Sequence, residues 1–119
     1  MRFLTNIFKA DDQRGDWYAW TTNQAGHALY FGVIPGSLLS IAGVPYVAAF
    51  VLVALAYGVG WEVLMQPQSN WGDAVTDAFF VAAGAGLGAG LYAGQAGDVL
   101  ASVAIIFAVN TIGIWRRAK

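Results

Sequence analysis

The sequence predicts an all-α polytopic membrane protein: four transmembrane helices in a compact bundle, preceded by a short N-terminal interfacial helix. Three observations predict it. The first is where charge is missing. Charged residues are 11% of the chain, about half the share usual in a soluble protein. The 34 residues between His27 and Glu62 carry no charge, and neither do residues 78–97 or 99–115. The second is where the basic residues fall. All six (Arg2, Lys9, Arg14, Arg116, Arg117 and Lys119) lie near the two ends. An even number of spans puts both ends on one side, and the positive-inside rule makes that side cytoplasmic. The third is tryptophan. With four spans, Trp17, Trp20, Trp61, Trp71 and Trp115 fall at the cytoplasmic interface, with Tyr46 and Tyr92 at the other. Indole suits that boundary because it is part apolar and part hydrogen-bond donor.

The elements follow in order. In residues 1–12, Phe3, Leu4, Ile7 and Phe8 recur at helical spacing. That pattern fits an amphipathic helix lying in the interface, or an N-terminal arm. No signal-peptide pattern occurs there, so the mature chain is expected to begin at Met1. Residues 1–24 form the interfacial segment, with 11–24 as a polar, aromatic approach to the first span. Span 1 is expected over about 25–42, with a kink at Pro35. Gly43, Val44 and Pro45 break the long apolar run into a hairpin. Span 2 covers about 45–65, with its proline in the first turn. Span 3 covers about 73–92, and span 4 about 98–115. Residues 116–119 form a basic cytoplasmic tail. Span 3 also carries Gly84, Gly86, Gly88 and Gly90, two overlapping GxxxG patterns. Small residues at that spacing let helices approach closely in lipid. Span 3 is therefore expected to be the packing centre, with self-association through the same glycines as the alternative.

Several function classes drop out. A net charge of −1 gives no electrostatic case for nucleic acid. With no cysteine, disulfides, thiolate metal sites and cysteine nucleophiles are excluded. No cofactor is required by any motif. A serine hydrolase lacks support because no GxSxG or Walker-type loop occurs.

The polar residues form one constellation. His27 opens span 1, Glu62 lies one turn from the end of span 2, and Asp73 and Asp77 open span 3 four residues apart on one face. All four are expected at the cytoplasmic end, joined by Gln66 in the turn and Asn110 in span 4. Ionisable groups at membrane depth are costly unless they face water, the bundle interior or each other. Three readings stay open. The cluster is an interfacial polar cap, or a site for a lipid head group, ion or proton, or a divalent metal site using His27, Glu62, Asp73 and Asp77. Imidazole with carboxylates suits Zn²⁺, Mn²⁺ or Fe²⁺, although the spacing fits no compact metal motif.

Gly26-His27 at the head of a span, Glu62 followed by Gln66, and Trp71-Gly72-Asp73-Ala74-Val75-Thr76-Asp77 followed by Gly84 together resemble the VanZ-like and YjdF-type small membrane proteins. The resemblance covers residues 26–90. The turn lacks the arginine common in those proteins, and Val81 stands where they carry asparagine. What the resemblance implies is a compact bundle in the bacterial inner membrane with a polar site at one end. It implies no particular activity. The alternatives are a phage-encoded, holin-like permeabilising protein, or a structural subunit of a membrane complex or virion. An enzyme acting on lipid would lack an identified nucleophile.

Overall fold

The computed structural model describes residues 16–65 and 71–118, apart from the side chains of 61–65, 71 and 73. Among the described residues the chain is helical throughout, with turns between four helical rods. The expected N-terminal helix over 1–12 and the turn holding Gln66 lie outside the described residues.

The first rod, α1, is an α-helix over Trp17–Gly26, a π-wound stretch over His27–Val33 and an α-helix over Ile34–Ile41. It starts eight residues before the expected boundary. Asp16 is the reason: its Oδ1 accepts the Ala19 N–H at 2.9 Å and so caps the helix. Residues 17–24, expected as an approach segment, are therefore helical. The π stretch lies immediately ahead of Pro35. A proline lacks an N–H and clashes with the carbonyl of the preceding turn. Winding the turn ahead of it to i→i−5 bonds, such as Ile34 N–H to Leu29 O, relieves that clash.

Gly43 closes α1 in the left-handed region at φ +87°. Val44 N–H then reaches Leu39 O and Gly43 N–H reaches Ser40 O, each at 2.9 Å. This paired closure satisfies two end carbonyls, and a side chain would strain it. Pro45 follows in extended geometry and caps the second rod, α2, which is α-helical over Tyr46–Leu55 and π-wound over Ala56–Met65. The third, α3, is one α-helix over Trp71–Ala93. Gly94 at φ +67° ends it with the same paired closure, through Gln95 N–H to Gly90 O and Gly94 N–H to Leu91 O. The last, α4, covers Ala96–Arg117. Arg116 and Arg117 thus form its final turn, where their charge complements the helix dipole, rather than a separate tail.

The core is built around α3. Phe80, Val81, Ala82, Ala83, Ala85 and Ala89 are all buried, so this helix is covered on every side over its middle turns. The glycine run makes that cover close. A methyl at Gly84 would strike the backbone of Ala28, and one at Gly88 the Val33 carbonyl, both on α1. Gly86 faces Tyr46 of α2 and Ser102 of α4, while Gly90 faces Asp98 and Val99. The four glycines are therefore packed against this chain's own helices. α1 answers with small residues at every fourth position: Ala28, Gly32, Gly36 and Ser40. A methyl at Gly36 would meet the Ala85 backbone, and Ser40 Oγ donates to Ala89 O at 3.2 Å.

Two helices, over Ala74–Ala93 and Ala96–Arg117, are long and apolar enough to cross a membrane. Four such helices were expected. Among the described residues the other two rods do not meet that test; Tyr46–Gly60 is apolar but shorter.

Candidate functional site

α1, α2 and α3 converge near the start of α3. On α1 the side chains of Gln24, His27 and Phe31 follow at i, i+3 and i+7, one face of the helix. Asp77 comes to that face from α3, and Tyr57 from α2.

Asp77 ties the group together. Gln24 Nε2 donates to its Oδ1 at 2.7 Å across the α1–α3 interface. His27 Nε2 stands 3.6 Å from its Oδ2. The two side chains are 14% and 15% exposed, so the pair is largely enclosed without being sealed. His27 Nδ1 lies 3.0 Å from Asn23 O, one turn back on α1. A carbonyl only accepts, so the Nδ1 position carries the proton. A neutral ring then turns a lone pair toward the carboxylate, and 3.6 Å is too long for a direct hydrogen bond. The pairing is favourable when Nε2 is also protonated, or when a donor bridges Nε2 and the carboxylate.

Aromatic rings hold the imidazole in place. Its centroid is 5.7 Å from the Tyr57 ring, edge to face, and 6.1 Å from Phe31; Phe31 and Tyr57 are 5.6 Å apart. Tyr57 belongs to a buried cluster with Val53, Val81 and Ala85. This packing restricts His27 to one orientation.

Gln24 supplies a further property. It is 3% exposed, and its Oε1 is buried with no hydrogen-bond partner. The amide orientation follows from its neighbour: a carboxylate only accepts, so Nε2 must face Asp77 and Oε1 must face away. A buried acceptor without a donor is uncommon and calls for one.

The expected constellation is thus met in part. His27 and Asp77 come together. Asn110 is half-buried on α4. The side chains of Glu62 and Asp73, and the whole of Gln66, lie outside the described residues. Among the described residues no group of three or more His, Asp or Glu side chains is placed to hold a metal ion. The helix that carries His27 begins before it. It lies ten residues after Trp17, about 15 Å along α1, rather than in the first turn.

Gln24 was not among the expected site residues because it sits in a polar stretch that reads as a loop. The signal that finds it is the four-residue spacing Gln24, Ala28, Gly32, Gly36, Ser40, which places it on the face packed against α3. Trp20 also departs from the interfacial pattern. It is buried, edge to face with Phe80 at 5.8 Å, with the Arg117 guanidinium 4.2 Å above its ring.

The chain matches no protein-family model, no curated protein and no solved structure.

Proposed function

We propose that this chain is a membrane protein of four spans with both ends cytoplasmic, and that it binds a donor group at Gln24, His27 and Asp77. The ligand is the head group of a lipid, a cation or a proton. The observation that carries this reading is the Asp77 pairing. The Asp77 carboxylate takes the Gln24 amide N–H at 2.7 Å and stands 3.6 Å from an imidazole nitrogen, in a place that is largely enclosed but still open to a small donor or cation.

The membrane part of the reading is supported by the exterior. Leu29, Ile34, Leu38, Val51, Leu55, Phe107 and Ile112 are all exposed, and they cover three of the four rods. In Ala96–Arg117 only 11% of the apolar window is inside the protein. Such continuous apolar surface is unfavourable in water and favourable in lipid. A carboxylate placed among such helices is a functional residue by default, since it is costly to keep there without a role. The VanZ-like resemblance rests on its sequence motifs alone and adds no activity to this reading.

Native mass spectrometry of the chain released from membranes tests the proposal. The wild-type chain should carry a bound species in fixed stoichiometry that Asp77→Asn and Gln24→Leu lose. Identical spectra for all three would remove the binding site. Release of the wild-type chain by alkaline carbonate washing would remove the membrane assignment.

A further inference from the structure

Among the described residues, three buried side-chain atoms have no hydrogen-bond partner: Thr21 Oγ1, Gln24 Oε1 and Arg117 Nε. Thr21 and Gln24 stand one turn apart on α1, and side chains three residues apart on a helix are neighbours. Arg117 reaches the same turn from the end of α4. Its guanidinium lies 4.2 Å above the ring of Trp20, the residue before Thr21, and its Nη1 donates to Gly113 O at 3.3 Å. Trp20 in turn fills the space over Gly113. The three atoms thus belong to the seam where α1 meets α4, beside one buried indole.

Their chemistry restricts what can join them. Gln24 Oε1 only accepts, Arg117 Nε only donates, and the Thr21 hydroxyl does either. A cation would be repelled by the guanidinium, and an anion by the amide oxygen. A neutral molecule that both donates and accepts suits all three. Buried water does this, with about three hydrogen bonds to groups that are otherwise unsatisfied. We propose that the α1–α4 seam binds a water molecule, which donates to Gln24 Oε1 and accepts from Arg117 Nε and the Thr21 hydroxyl. The site lies on the far side of the Gln24 amide from Asp77. A water held at Oε1 fixes that amide, so its Nε2 stays turned to the Asp77 carboxylate at 2.7 Å. Gln24 is thereby a positioning residue that links the seam to the carboxylate on α3. This is independent of whether Asp77 binds a ligand of its own.

Water-edited solid-state NMR of the full chain in lipid vesicles, with labelled glutamine, threonine and alanine, tests the proposal. Magnetisation should pass from water to the Gln24 side chain, which is 3% exposed, well ahead of its arrival at Ala83, which is 0% exposed. Thr21→Val keeps the shape of the side chain and removes the hydroxyl, and it should abolish that excess. Thr22→Val, at an exposed position whose hydroxyl bonds Tyr18 O, should leave it unchanged and controls for folding. Transfer to Gln24 no faster than to Ala83 in the wild-type chain would overturn the proposal, whatever the variants do. So would fast transfer that Thr21→Val leaves intact, because water would then reach Gln24 from the Asp77 side. A Gln24 signal that moves in Thr21→Val without water transfer would place the two side chains in direct contact, and would overturn it as well.

Discussion

His27 Nε2 stands 3.6 Å from Asp77 Oδ2 while the other ring nitrogen lies 3.0 Å from the Asn23 carbonyl. The backbone thus sets the tautomer, and the tautomer sets what the carboxylate sees.

Replacing Asp77 separates charge from shape. Asp77→Asn keeps an acceptor for Gln24 and should cost only about 1 kcal/mol of stability. Asp77→Leu leaves Gln24 and His27 without their partner and should cost about 1–3 kcal/mol. Thermal unfolding in detergent measures both. Equal costs would mean that the cluster contributes nothing specific.

The close approach of α1 and α3 makes a second prediction. Gly84→Leu would drive a side chain into the Ala28 backbone, which cannot move aside as a flexible side chain does. A loss of at least about 1–3 kcal/mol is expected. Gly97→Leu, where a Cβ meets open space, should change little and serves as the control.

Trp20 anchors α4 to α1. Its ring fills the space over Gly113, and Arg117 covers its face. Trp20→Ala should cost about 3–5 kcal/mol. Arg117→Met should cost about 1–2 kcal/mol, the worth of a partly desolvated cation–π contact. Similar losses for both would mean that the charge, rather than the packing, holds the helix.

The two helix closures give a fourth prediction. Gly43→Ala and Gly94→Ala place a side chain in the left-handed region and should each cost about 1 kcal/mol. Unfolding in detergent again reports the change.

Which parts of this were legible in the sequence follows from what each signal encodes. The break at Gly43-Val44-Pro45 and the central role of the helix with Gly84 and Gly88 could be read directly, because both depend on residues whose backbone demands are local. The start of α1 could not. It depends on Asp16 capping, and the polar run that follows hides a helix whose buried face is only Trp20 and Gln24. The small-residue row on α1 went unnoticed for a similar reason. Ala28, Gly32, Gly36 and Ser40 form no single GxxxG phrase outside Gly32 and Gly36, and their meaning appears only opposite Gly84, Ala85 and Ala89. In the site, His27 and Asp77 stood out as ionisable residues in apolar segments. Gln24 is uncharged and sits among polar neighbours, so only its register on the helix marks it. Asn110 drew attention by being polar in an apolar span.

The chain has one histidine, so its imidazole can be watched alone. Nitrogen-15 NMR of histidine-labelled protein in phosphatidylcholine vesicles reports the two ring nitrogens separately. The account predicts a proton at Nδ1, an Nε2 signal that moves in Asp77→Asn, and a further Nε2 shift on adding phosphatidylethanolamine that Asp77→Asn abolishes. An Nε2 signal indifferent to both the substitution and the lipid would contradict the donor-binding site.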